Sequence, residues 1–139
     1  MALLFLPMAY MTAGDVGSAR RALEPARSQE PKHYNVRLLW AVQLALEGKR
    51  DEALQEMDPE VLKYAELVFF SSNAAEFYAV LGEKTKALDW LDRAVRGGDE
   101  RAEWFERNPL LKNIRDEPRF RQILESIRRR REQRVKSTR

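Results

Sequence analysis

Three pairs of adjacent acids, Asp51-Glu52, Asp99-Glu100 and Asp116-Glu117, are the residues of this chain whose types and spacing could do acid/base chemistry. Each pair lies where a helix is expected to begin. Carboxylates at that position cap free N–H groups and oppose the helix dipole, and capping is the reading adopted for all three. His33 is the lone histidine, with no serine and acid arranged around it, and is expected on the surface of a turn. Gly97-Gly98 lacks the glycine-rich frame and the lysine of a phosphate loop, so it reads as a helix stop. No G-x-S-x-G, H-E-x-x-H or kinase motif occurs. The absence of cysteine excludes disulfides and thiolate metal sites, and one histidine leaves little for a histidine-based site. No catalytic residue, cofactor or metal is therefore assigned, and an enzyme is not expected.

The run Arg128-Arg129-Arg130-Arg131, continued by Arg134, Lys136 and Arg139, is the one charge cluster able to bind a ligand directly. Residues 115–139 hold ten basic and four acidic side chains, which leaves fifteen basic and eighteen acidic in the first 114 residues. The net charge of +3 thus hides a basic tail on an acidic body. Such a tail could neutralise the phosphates of nucleic acid or of an anionic membrane. It carries no interleaved aromatics for base stacking. The plainer reading is a solvated helix end whose charge complements the helix C-terminus.

The elements that must position these groups follow from a period. Gly14, Gly48 and Gly82 recur every 34 residues, and Ala19, Ala53 and Ala87 follow each glycine by five. Tyr10, Leu44 and Tyr78 precede the glycines by four, and Ala26 and Ala94 follow the first and third by twelve. Glycine just past a helix end takes the left-handed turn without side-chain cost, and the alanine sits where two helices approach closely. A period of 34 is that of a paired-helix repeat. The middle copy departs from the pattern, with Glu60 in place of alanine and Pro59 interrupting its second helix.

By these residues the chain resembles the tetratricopeptide repeat family, Gly14-Ala19-Leu23-Ala26-Pro31 and Tyr78-Gly82-Ala87-Leu91-Ala94 being the best-matching copies. The resemblance implies an all-α, right-handed solenoid of three helix-turn-helix repeats, about residues 1–33, 34–67 and 68–98. A capping segment over 99–127 and the basic tail 128–139 complete it. Asn108-Pro109-Leu110-Leu111 followed by Arg115-Asp116-Glu117-Pro118-Arg119-Phe120 looks like the closing segment of such regions in bacterial multidomain signalling proteins. There the region sits behind a serine/threonine kinase, a winged-helix regulator or a nucleotide cyclase. The chain is expected to be the C-terminal piece of such a protein rather than a stand-alone relative. A cytoplasmic location is expected, with the extracytoplasmic part of a membrane-bound receptor as the alternative.

In that family the first helix of each unit lines a concave groove. Matched by register, the lining comprises Leu4, Met8, Met11, Asn35, Leu38, Val42, Phe69, Ser72, Asn73 and Glu76. It is mostly apolar or methionine, which suits an amphipathic helix or an extended apolar peptide of a protein partner. The family's clamp for acidic C-terminal tails needs basic and amide residues where this chain has Leu4, Met8, Leu39 and Phe69, which argues against such a ligand. The bland alternative is that these residues are core, covered by an upstream helix or by the chain's own tail.

Along the chain, the apolar run MALLFLPMAYMTAG is too short to span a bilayer and lacks the basic flank of a secretory signal, so it reads as the first repeat helix. That helix is expected to start near Pro7 or to kink there, and Pro25 to shorten or bend the next. An uncovered end with Leu3, Leu4, Phe5 and Leu6 would favour self-association. Asp58-Pro59 reads as an N-cap and a first-turn proline opening a short helix. A helix from about Asp99 to Arg107 and a start at Asn108-Pro109 follow. The final helix carries Phe120, Ile123, Leu124 and Ile127 at i, i+3, i+4, i+7 spacing. Beyond Ile127 it is expected to leave the body and fray.

Overall fold

The computed structural model describes residues 4–67 and 70–138, and among these every regular element is helical. In order they are α1 (Phe5–Thr12), α2 (Val16–Gln29), α3 (Tyr34–Leu46), α4 (Arg50–Glu56), α5 (Pro59–Leu67), α6 (Ser71–Val80), α7 (Lys84–Arg96), α8 (Ala102–Arg107), a 3-10 helix (Pro109–Ile114) and α9 (Pro118–Ser137). Three antiparallel pairs, α1 with α2, α3 with α4 and α6 with α7, form around the 34-residue period.

The period has a backbone cause. Gly14, Gly48 and Gly82 hold φ of +80°, +78° and +80°. At Gly82 the N–H donates to the Ala79 carbonyl at 3.0 Å, and the next N–H, of Glu83, donates to the Tyr78 carbonyl at 2.9 Å. The same two bonds recur at Gly14 and Gly48, so each first helix ends in one double-bonded turn that satisfies its last carbonyls. Nothing lies within 4 Å of a Cβ added at any of the three. Glycine is needed for its dihedral, not for space. Ala19, Ala53 and Ala87 are fully buried, as a close helix approach requires.

Pro7 and Pro59 stand in first turns, as expected, and only Pro25 does less than the sequence suggests. Pro7 is the third residue of α1, in the first turn, where a backbone donor would have no intrahelical acceptor. Pro25 lies inside α2, which runs on to Gln29. Both Pro25 and Arg21, whose carbonyl loses its donor, are exposed, so water can replace the missing bond. Asp58 does cap α5, its Oδ1 accepting from the Val61 N–H at 3.0 Å. α5 then touches both α3 and α6, an extra helix between the second and third pairs.

The acid pairs divide. Asp51 and Glu52 occupy the first turn of α4, as expected. Glu117 flanks α9 without a side-chain cap and pairs instead with Lys84 at 3.4 Å. Asp99 and Glu100 precede α8 and serve arginines: Asp99 holds Arg101 at 2.8 Å, and Glu100 holds Arg134. His33 is exposed and caps α3, its Nδ1 accepting from the Asn35 N–H at 3.2 Å.

The core runs without a break from Met11 through Leu38, Phe77 and Leu91 to Phe105, Ile114 and Ile127. α9 packs its Phe120, Ile123, Leu124 and Ile127 inward, and it lies against α7. It does not fray after Ile127. Arg128 bonds Glu106 at 2.8 Å, Arg130 donates to the Val95 carbonyl at 2.7 Å, and Arg131 bonds Glu103 at 2.9 Å and the Glu100 carbonyl. The expectation failed because helix periodicity along α9 does not report acids some thirty residues earlier. No helix among the described residues is long and apolar enough to cross a membrane.

Candidate functional site

The residues assigned to a groove separate into core and pocket. Met11, Leu38 and Val42 are each 1% exposed and belong to the same core as Leu110, Leu111 and Ile114 of the 3-10 helix. They line no open surface. Leu4, Met8 and Asn35 are half-buried, as are Ser72 and Asn73, while Glu76 is 4% exposed. Phe69 lies outside the described residues.

The 3-10 helix lies against α6 and reaches α1, and Asn113 Nδ2 fixes it by donating to the Ala79 carbonyl at 2.8 Å. On α6 the face read as groove lining is thus covered by the chain's own C-terminal segment. What stays open is a cavity of about 230 Å³ where four parts of the chain meet. α1 gives Met8, and the start of α6 gives Phe70, Ser72, Asn73 and Glu76. The α8 region gives Arg101, Trp104 and Phe105, and the segment after it Asn108 and Leu111.

Glu76 is the chemical centre of this cavity. Its Oε1 accepts from Asn73 Nδ2 and its Oε2 from Asn108 Nδ2, both at 3.0 Å. Asn108 is 1% exposed and has a second task, its Oδ1 accepting from the Leu110 N–H at 3.0 Å to start the 3-10 helix. Burial raises the Glu76 carboxyl to about 7, opposed by the Asn108 bond, the Arg101 charge and the Asn73 bond. At neutral pH the group is therefore poised between its charged and neutral forms. Arg101 stands beside the cavity in a two-point pair with Asp99, Nε at 2.9 Å and Nη2 at 2.8 Å, and Nη2 reaches Ser72 Oγ at 3.4 Å. That pair raises the Arg101 pKa further and leaves little of its charge unopposed.

Sequence reasoning placed Met8, Ser72, Asn73 and Glu76 together, and the structure brings them to one cavity. It missed Arg101, Trp104 and Asn108, which come from the segment taken only as a cap. The available signal was Asn108 itself, an asparagine before Pro109 that starts a turn and has a free amide to offer elsewhere.

The basic tail is placed differently. Arg128, Arg130, Arg131 and Arg134 all face the body, bonded to Glu106, the Val95 carbonyl, Glu103 and Glu100. Arg129 and Lys136 are exposed and stand outside this network among the described residues. Arg139 lies outside those residues. At the other end, Phe5 and Leu6 remain 84% and 55% exposed.

No protein-family model matches the chain, and no curated protein and no solved structure matches it.

Proposed function

We propose that this chain is a non-enzymatic protein-interaction module of tetratricopeptide-like paired helices, whose concave face takes one side chain or chain end of a partner peptide. The observation that carries this reading is the cavity around Glu76, built from four separate parts of the chain and floored by a buried carboxyl. At about 230 Å³ it is smaller than the roughly 300 Å³ at which small-molecule sites begin, so it suits a side chain better than a cofactor. An amphipathic helix along the whole groove is disfavoured, because the 3-10 helix already lies there. The closing-segment resemblance at Asn108-Pro109 and Arg115–Phe120 supports the further reading of an appendage to a bacterial signalling protein.

Selection of displayed peptides against the full chain, repeated on Ser72→Trp, tests the module. Peptides enriched on the native chain should lose about tenfold or more in affinity when the indole fills the cavity. Peptides that bind both forms equally would remove the proposal.

The runner-up, an adaptor that grips nucleic acid or an anionic surface with the tail, requires Arg128, Arg130, Arg131 and Arg134 to leave their present partners. Self-association through Phe5 and Leu6 is compatible with either reading, since both are exposed and neither lines the cavity.

A further inference from the structure

Resting on that interaction reading, we infer that the cavity is a receptor for a primary ammonium group, carried on a lysine side chain or a chain N-terminus, with Glu76 as its counter-ion.

The argument is one of complementary valence. The polar groups that meet at the cavity leave acceptors open. Each Glu76 oxygen receives one amide donor, from Asn73 or Asn108, and retains a further lone pair. An asparagine that turns Nδ2 to the carboxylate keeps Oδ1 as an acceptor, and among the described residues no donor reaches Asn73 Oδ1. Ser72 Oγ accepts only a long contact of 3.4 Å from Arg101. Carboxylate, amide oxygen and hydroxyl together offer three acceptors to a group with three N–H donors.

Charge favours the same ligand. An anion would meet the buried Glu76, and the one nearby cation, Arg101, is already held at two points by Asp99. A neutral ligand would gain nothing from the ionised carboxylate and would leave Glu76 to hold a proton instead. Arg101 and Asp99 are the charged groups that face Glu76, both from the stretch preceding α8, and they largely cancel. The walls fit the rest of the ligand. Met8 and Leu111 can cover a methylene stem, and Trp104 and Phe70 supply aromatic surface of the kind that attracts cations.

The test titrates Nα-acetyl-lysine methylamide into the full chain, following the indole N–H resonance of Trp104. The Nε-acetylated form serves as the uncharged control, and a lysine-free peptide with a free N-terminal amine as the second source. The lysine probe should bind, and Nε-acetylation or Glu76→Gln should each weaken it about tenfold or more, as loss of a charged hydrogen-bond partner does. Its affinity should rise between about pH 6 and pH 8, as Glu76 ionises through about 7 while the ligand ammonium stays protonated. Glu76→Gln should flatten that rise. A response to the N-terminal probe alone assigns the site to a chain end, and a response to the lysine probe alone to a side chain. Should the acetylated probe bind as tightly as the charged one, the ammonium assignment falls and the interaction module stands. If no probe moves the Trp104 resonance and Ser72→Trp leaves peptide binding intact, both fall. The probe comparison uses the native chain, so it decides the matter even where Glu76→Gln does not fold.

Discussion

Glu76 is buried and Glu47 half-buried, their electrostatic settings are opposite, and the contrast predicts opposite pH behaviour. Arg20 grips Glu47 with two bonds of 2.7 Å, and that contact, helped by Gln43 and Lys49, lowers its pKa to about 2 from the ordinary 4.5. A lowered folded pKa gives stability that is present above the unfolded value and lost as pH falls from about 4.5 toward 2. Glu47→Gln should therefore destabilise the chain at pH 7 by about 1–3 kcal/mol and have little effect near pH 2, measured by urea unfolding. Glu76 has its folded pKa raised to about 7, so the folded state holds the extra proton between about 4.5 and 7. Stability should fall as pH rises through that window, by up to about 3 kcal/mol. Glu76→Gln should recover part of this loss at pH 8 and none at pH 4. A melt of Glu76→Gln that is lower than wild type at pH 8 would contradict the assignment.

At the scale of elements, the turns and the C-terminal helix make different demands. Gly82→Ala places a side chain in open space but at a φ of +80°, so its cost should be the dihedral alone, about 1–2 kcal/mol by chemical denaturation. α9 is held first by Phe120, Ile123, Leu124 and Ile127 and only then by arginines whose partners are largely exposed. Truncation after Ile127 should leave the chain folded and lower its stability by about 1–2 kcal/mol, an effect that shrinks at high salt. Complete unfolding of the truncated chain would show that the arginine contacts matter more than the apolar face. The turns were legible in the sequence, because a helix end closed by glycine is a local event written into a few adjacent residues. Asp58-Pro59 was legible for the same reason. The fate of the tail was not: Arg128 with Glu106, Arg131 with Glu103 and Arg134 with Glu100 pair across 22 to 34 residues, and either partner alone reads as an ordinary solvated charge.

At the scale of the molecule, the core is continuous from α1 to α9, so the helix pairs should unfold together. Trp40 on α3, Trp90 on α7 and Trp104 on α8 report on three regions. Single-tryptophan variants should give coincident denaturation midpoints, and separated midpoints would mean that the pairs are independent units. Burial of Met11, Leu38 and Val42 follows the alternative that the sequence left open, that these residues are core. Register along a repeat tells which face of a first helix points inward, but not what lies across from it. On α6 it is the segment 109–114, tied by Asn108 to Glu76 and by Asn113 to Ala79. Leu38 and Val42 therefore read equally well as groove lining or core until their cover is known.

That cover is a tethered competitor. A segment of the same chain packed against α6 acts at an effective concentration set by its short connection, on the order of millimolar for a flexible linker and higher when packed into the fold. On the proposed reading, a partner using this face would first have to displace it, whereas a ligand confined to the cavity beside Glu76 would displace nothing. Occupancy of this face would then be graded by ligand size: small cationic ends would enter freely, and longer segments would bind only where local abundance or a second contact elsewhere on the molecule compensates for the resident one.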